Sequence, residues 1–290
     1  MDLEKTSLFR LREAAEISKY YYGKPLMLCY SGGKDSDVIL DLAIKSGIEF
    51  ELQHSHTTAD APETVYHIRR KFKELESKGI KCTMQMPTFK GKSVSMWSLI
   101  PAKKTPPTRL ARYCCAILKE TAGHNRAIVT GVRRAESTNR AKSGIIQTWS
   151  KDISKRIIIN NDNDEKRKIV EHCQLQGKTV FNVICDWSND DVKDYIKEEH
   201  INLNPLYKCG FHRVGCVGCP MAERKGRYKE FALYPKYRNL YIRAFDRMLE
   251  VRKQAGLTTN TWQSGIDVYH WWMEDNVLPG QLTIDGENDW

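Results

Sequence analysis

Two rhythms of apolar residues alternate along the first half of the chain. Residues 8–22 set Leu8, Leu11, Ala15 and Ile17 at helical spacing, which predicts a helix with one buried face. Residues 25–30 form a short apolar run ending at Ser31-Gly32-Gly33, the pattern of a buried strand feeding a loop. Residues 37–46 read as a helix closed by Gly47, and 48–52 as a second strand. A polar helix over 62–78 is closed by Gly79. Strands follow over 80–86 and over 127–130, the latter ending at Gly131. Strands alternating with helices predict an α/β fold, a parallel sheet covered on both faces, through roughly the first 150 residues.

The pattern then changes. Residues 160–168 are charged and polar and read as a surface loop, and 190–199 as a helix capped by Ser188 or Asn189. The last 60 or so residues look helical and aromatic, with Tyr234, Tyr237, Tyr241, Phe245, Trp262, Tyr269, Trp271 and Trp272. No repeat, low-complexity tract or flexible linker interrupts the chain. Residues 1–222 are therefore expected to form one domain, with 223–290 a helical portion packed on it.

Of the 290 residues, 41% are hydrophobic and 28% charged, a soluble balance. The start, Met1 to Thr6, lacks the basic region and apolar run of a secretory signal, and no window is apolar enough to span a bilayer. A cytoplasmic protein without membrane association is expected. The net charge of +10 points either to polyanionic partners, nucleotides or nucleic acid, or to a solvated basic surface. Nine cysteines in a reducing compartment are not a disulfide framework. Cys29, Cys82, Cys173 and Cys185 stand singly, and those in apolar runs read as small core residues. Cys114-Cys115 and Cys216-x-x-Cys219 are clustered, with Cys209 nearby, and clustering points to metal or redox chemistry.

Ser31-Gly32-Gly33-Lys34-Asp35-Ser36 sits between a predicted strand and a predicted helix. Its glycines permit close backbone approach, and the helix start offers unpaired N–H groups and the positive end of the dipole. The Ser31 and Ser36 hydroxyls and the Lys34 ammonium add donors, so the string suits a diphosphate or sulfonyl-phosphate group. The plain alternative is a tight turn without a ligand. The spacing is not that of a Walker A loop.

This string resembles the PP-loop of the ATP pyrophosphatase and phosphoadenosine phosphosulfate (PAPS) reductase superfamily, and further resemblances follow in order. His56-Thr57-Thr58-Ala59-Asp60-Ala61-Pro62-Glu63-Thr64 is similar to the family's Asp-Thr-Gly…Pro-Glu-Thr segment, with His56 and Thr58 in place of its Asp and Gly. Gly131-Val132-Arg133-Arg134, with Ser137 and Arg140, is similar to its Gly-x-Arg…Ser…Arg segment. Asp186-Trp187-Ser188-Asn189-Asp190-Asp191-Val192 and Asn204-Pro205-Leu206-Tyr207 are similar to its Trp-Thr-x-x-Asp-Val…Pro-Leu-Tyr stretch. The resemblance implies a Rossmann-like sandwich of the adenine nucleotide α-hydrolase type with a helical C-terminal portion. It implies that Ser31, Gly32, Gly33, Lys34, Asp35, Ser36, Thr57, Gly131, Arg133, Arg134 and Arg140 bind ATP, PAPS or adenosine phosphosulfate (APS). Lys34, Asp35 and Arg133 are the catalytic candidates, with Mg²⁺ on the phosphates. Arginines after a strand end can fork onto phosphate oxygens or pair with local carboxylates.

A CxxC turn presents two sulfurs to one metal, and Cys114 and Cys115 would complete four ligands for zinc or an iron–sulfur cluster. Cys209 is a fifth candidate ligand, a free thiol or a structural residue. The CC…CxxC pattern resembles the 4Fe–4S site of iron–sulfur sulfonucleotide reductases and of DNA phosphorothioation enzymes, with zinc the alternative. Gly-Cys-x-Gly-Cys-Pro followed by a Tyr-Pro-Lys-Tyr string draws the resemblance toward the phosphorothioation branch. Lys119, His212 and Arg213 would favour thiolates and anions. His54 and His56 either line the pocket or are buried hydrogen-bonding residues, and Trp271-Trp272 reads as packing ahead of base stacking.

The leading expectation is an ATP pyrophosphatase that adenylates an acceptor in sulfur transfer, the acceptor including nucleic acid. The second is a sulfonucleotide reductase releasing sulfite, against which stands the lack of any cysteine after Cys219. The third is a non-catalytic nucleotide- or redox-sensing subunit. A sulfur-donor or partner protein and a homodimer remain open.

Overall fold

The computed structural model describes residues 2–138, 140–149, 158–160, 178–257 and 262–273. The loop expected over 160–168 falls outside them beyond Asn160, as does Cys173.

The chain forms two compact units, the first made of Met1–His56, Ala61–Met86 and Thr121–Gly215. It opens with α1 (Leu3–Tyr22), capped by the Asp2 carboxylate on the Lys5 amide at 3.1 Å. Then come β1 (Leu26–Cys29), α2 (Lys34–Ser46), β2 (Phe50–Ser55), α3 (Pro62–Glu76) and β3 (Cys82–Gln85). In the second unit lie β4 (Thr88–Phe89), β5 (Lys92–Ser93), α4 (Met96–Lys103) and α5 (Tyr113–Leu118). The first unit resumes with β6 (Arg126–Val129), β7 (Ile146–Trp149), β8 (Ile158–Ile159), β9 (Lys178–Phe181) and α6 (Asn189–Glu198).

The sheet runs β3-β2-β1-β6-β9-β7-β8. The first five strands are parallel, with Leu26 opposite Phe50 and Met27 opposite Ile128, and β7 and β8 add antiparallel pairings at one edge. Leu26, Leu28, Ala127, Val129 and Phe181 share a buried cluster with Leu11 of α1, Val38 and Leu42 of α2 and Val192 of α6. Met27, Ile128 and Val180 form a smaller cluster of their own. Strand residues with alternating faces both buried are the mark of a sheet covered on both sides.

This confirms the expected α/β architecture with shifted bounds. The second strand begins at Phe50 rather than 48 and continues to Ser55, since alternate residues stay buried that far. The helix expected from 37 starts at Lys34, because the Gly33 carbonyl already accepts from the amides of Ser36 and Asp37.

The second unit gathers Thr57–Asp60, Pro87–Glu120 and the chain from Cys216 onward. Its last helices are α7 (Arg224–Leu233), α8 (Pro235–Gln254) and α9 (Gly265–Trp272). Their aromatic residues form the core: the Tyr241 and Trp272 rings lie 4.7 Å apart, Phe245 and Trp272 5.4 Å, and Phe231 and Tyr241 5.8 Å. Contacts thus divide the chain elsewhere than at residue 222. A boundary there would cut Cys216 and Cys219 from the helices of their own unit, in which Tyr241 Oη donates to the Val217 carbonyl at 3.0 Å.

Candidate functional site

In the first unit, α2 starts from a loop that is held shut on itself. Ser36 Oγ donates to the Gly33 carbonyl at 2.7 Å and accepts from the Ser31 amide at 3.3 Å. Ser31 Oγ reaches Ser36 Oγ at 3.2 Å. Gly32 has φ +70°, and a Cβ there would stand 2.9 Å from Ile68 Cγ1 of α3, so conformation and space both demand glycine. The fully buried Asn204 clamps this point, Nδ2 donating to the Gly32 carbonyl at 3.2 Å and to Thr64 Oγ1 at 3.0 Å. Tyr207 Oη accepts from the Lys34 amide at 2.9 Å. Burial pushes the Tyr207 phenol up to about 12, so it is a neutral dipole at neutral pH. Asn204 and Tyr207 were not singled out as site residues from sequence, although their Asn-Pro-Leu-Tyr string carried the signal.

Lys34 Nζ donates to both Asp35 oxygens, at 3.1 and 3.2 Å. Arg133 is only 1% exposed and donates from Nε to Asp35 Oδ1 at 2.7 Å, from Nη1 to the Trp187 carbonyl at 3.2 Å and from Nη2 to Asn189 Oδ1 at 2.9 Å. Gly131 passes so near that a Cβ would lie 3.1 Å from Asp35 Cβ. Arg134 donates to the Ser143 and Asn160 carbonyls and pairs with Asp186, and Arg140 pairs with Glu136. Each of the three arginines expected to reach phosphate is thus engaged within the protein, and Arg133 fixes the carboxylate of Asp35. His54 is buried with Nδ1 2.9 Å from the Tyr30 carbonyl, the hydrogen-bonding reading of the two considered. Behind the loop, Tyr30 Oη donates to Asp37 Oδ1 at 2.5 Å and lies 3.1 Å from His67 Nε2. That buried set joins three separate elements, and no local pattern announces it.

The four clustered cysteines come together in the second unit. Cys114 and Cys115 occupy the first turn of α5, and the Cys115 amide donates to the Arg112 carbonyl at 3.1 Å. Cys216 and Cys219 lie on a turn where the Cys219 amide donates to the Cys216 carbonyl at 3.2 Å. Gly218 in that turn has φ +71°, and a Cβ would collide with Phe231 at 2.3 Å, so the CxxC spacer admits no side chain there. Cys114 is held above its usual range first by the hydrogen bond to Cys115, then by burial and by the charges of Cys115, Cys216 and Cys219. Cys115 is drawn down first by that same hydrogen bond, against burial, with Arg112 and Lys119 assisting. Burial pushes the Cys216 thiol up, opposed by Lys119, and the Cys216 charge in turn holds the Lys119 ammonium up.

Thr57, expected among nucleotide contacts, accepts from Cys216 Sγ at 3.3 Å within the second unit. Its neighbours add a short antiparallel bridge between Asp60 and Cys216, with the Val217 amide donating to the Ala59 carbonyl at 2.8 Å. Cys209 is exposed and belongs to the first unit.

Residues 25–222 match the family model described as the phosphoadenosine phosphosulfate reductase domain. The chain belongs to that family. Among its relatives, an uncharacterised protein of Methanocaldococcus jannaschii is 26% identical, the match covering 88% of this chain and 54% of that one. The chain thus spans about half the length of that relative. A phosphoadenosine 5′-phosphosulfate reductase of Gloeobacter violaceus is 25% identical over 72% of this chain and 79% of its own. The solved phosphoadenylyl-sulfate reductase of Candida auris aligns with TM-score 0.43 and 18% identity, covering 70% of this chain and 87% of that one. No helix among the described residues is long and apolar enough to cross a membrane.

Proposed function

We propose that this PAPS reductase-family protein is a PP-loop enzyme that binds ATP and adenylates an acceptor during sulfur transfer. The observation that carries the reading is the loop itself: a helix start closed from behind by Asn204 and Tyr207, with Lys34 and the Ser31 hydroxyl at its mouth. Such a start offers a ready place for a pyrophosphate group. An acceptor oxygen attacks the α-phosphorus, and the bond to the bridging oxygen breaks. Pyrophosphate leaves with the electron pair, and adenylated acceptor remains. The Lys34 ammonium neutralises the charge that develops on the departing group. Asp35 would hold a Mg²⁺ ion, which would supply further charge neutralisation to the phosphates. Arg133 acts as a positioning residue by holding Asp35.

The second-unit cysteines fit a metal centre of four thiolates. The 4Fe–4S group is the favoured occupant, because adjacent cysteines are an unusual pair of zinc ligands. Cys114, Cys115, Cys216 and Cys219 would hold it, and it would supply electron transfer or sulfur handling.

A second reading, reduction of a sulfonucleotide to sulfite, is favoured by the relatives that carry that name. One experiment separates the two. Anaerobically purified protein is assayed for pyrophosphate release from ATP with candidate acceptors, and for sulfite release from PAPS and APS with a dithiol reductant. Acceptor-dependent pyrophosphate release that disappears in Lys34→Ala is expected. Sulfite release without pyrophosphate would overturn the proposal in favour of the second reading. Iron and acid-labile sulfide, about four of each per chain for a 4Fe–4S centre and lost in Cys216→Ser, are the expected metal content.

A further inference from the structure

Beside Cys219, in the second unit, lies a cavity of about 420 Å³ lined by Arg109, Leu110, Pro220, Arg227, Trp271 and Trp272. The two tryptophans are consecutive on α9, and the helical turn sends them different ways. Trp272 is 4% exposed and tied by Nε1 to the Pro107 carbonyl at 2.6 Å. Trp271 is 40% exposed, braced edge to face by Trp262 at 4.9 Å. Leu110 is 98% exposed at the rim. The charged walls are fixed in place. Arg227 donates to the Trp272 carbonyl at 3.0 Å and lies 4.1 Å over its ring. Arg109 donates to the Pro220 carbonyl at 3.0 Å and to the Ala222 carbonyl at 3.4 Å. The described residues of this unit carry 17 Lys and Arg against 7 Asp and Glu.

We propose that this cavity takes one unstacked nucleotide of a single-stranded nucleic acid. The proposal rests on the acceptor reading above and names the class of acceptor. The base stacks on Trp271 and packs on Leu110, while Arg109 and Arg227 face the phosphate. Each part of the ligand meets matching chemistry: an aromatic face for the base, fixed cations for the backbone, and a basic unit for the strand beyond. The volume falls in the range of small-ligand sites. A duplex does not fit the description, because its bases are stacked and paired. A strand held here runs past Pro220, the residue that follows Cys219.

The test is fluorescence anisotropy of labelled 12-nucleotide DNA and RNA strands and of the matching duplexes, at two salt concentrations, with the full chain. Trp271→Ala is expected to weaken single-strand binding by about ten-fold or more, since stacking on one aromatic side chain is worth that much. Trp271→Phe keeps a stacking face and is expected to restore most of the affinity, which a merely structural role would not require. Arg109→Gln is expected to weaken binding and to lower the salt slope by about one counterion. The DNA and RNA arms identify which strand is preferred. Equal binding by wild type, Trp271→Ala and Arg109→Gln overturns the proposal, as does duplex binding as tight as single-strand binding. No binding to any nucleic acid also overturns it and leaves the cavity to a protein side chain. Pyrophosphate release is assayed in parallel. Trp271-dependent strand binding without it keeps the cavity and sinks the adenylation reading, whereas release with an acceptor that ignores Trp271 does the reverse.

Discussion

Gly32 and Arg133 carry opposite kinds of constraint. Gly32 is fixed by what a side chain would strike, Ile68 Cγ1 at 2.9 Å, and by a left-handed φ of +70°. Gly32→Ala should cost about 1–3 kcal/mol from backbone strain alone and displace the loop amides. Its melting temperature and its ATP affinity by calorimetry should therefore fall together, and an unchanged affinity would show that the loop tolerates the shift. Arg133 is fixed by what it touches: Asp35, the Trp187 carbonyl and Asn189. Arg133→Gln takes from the part-exposed Asp35 one of its two cation partners, at a cost of about 1–3 kcal/mol, read from the urea midpoint. Full stability with weakened phosphate binding would instead make Arg133 a phosphate ligand. Sequence marked Arg133 through its neighbours in the strand-end string. That it turns inward could not be read there, because the partners lie 98 and 56 residues away.

At the scale of elements, α6 shows how local chemistry sets a boundary. The Ser188 hydroxyl accepts from the Asp191 amide at 3.1 Å, and the Asp191 carboxylate accepts from the Ser188 amide at 2.7 Å. Ser188→Ala should cost about 1 kcal/mol, measured by thermal melting at pH 6. The Asp191 carboxyl is lowered from its ordinary value of 3.8, first by the Ser188 hydroxyl and then by the Ser188 amide. A depressed carboxyl stabilises above the unfolded value and loses that contribution as pH falls through the folded one. The gap between wild type and Ser188→Ala should therefore narrow as the pH falls below the ordinary carboxyl value of 3.8, and a gap that widens there contradicts the assignment. This cap was legible because its four residues are contiguous. So were β1, β2, β3 and β6, where glycines punctuate apolar runs. The β4–β5 pair and β8 were not, since strands of two residues contain too few periods to register, and β7 and β9 were not read from the sequence either. Trp271 and Trp272 looked alike in sequence, and only packing separated the buried ring from the exposed one.

For the whole molecule, each unit should be stabilised by its own ligand. ATP at about 100 times its Kd stabilises a native state by about 2.7 kcal/mol, and a structural metal lends its binding energy to folding. Hydrogen exchange should show ATP raising amide protection over residues 31–37 and 204–207. Removal of bound iron should lower it over α5 and residues 216–219. ATP that leaves residues 31–37 unchanged would argue that the loop is not the nucleotide site.

The second unit is stitched from three separated stretches of chain, and this governs how it is made. Cys114 and Cys115 leave the ribosome about a hundred residues before Cys216. At ordinary elongation speeds that is an interval of about 5–20 s. Throughout it two adjacent thiols exist without the partners that enclose them. Their safe passage depends on the reducing power of the surroundings, and a metal held by all four cysteines could be inserted only after translation has passed Cys219.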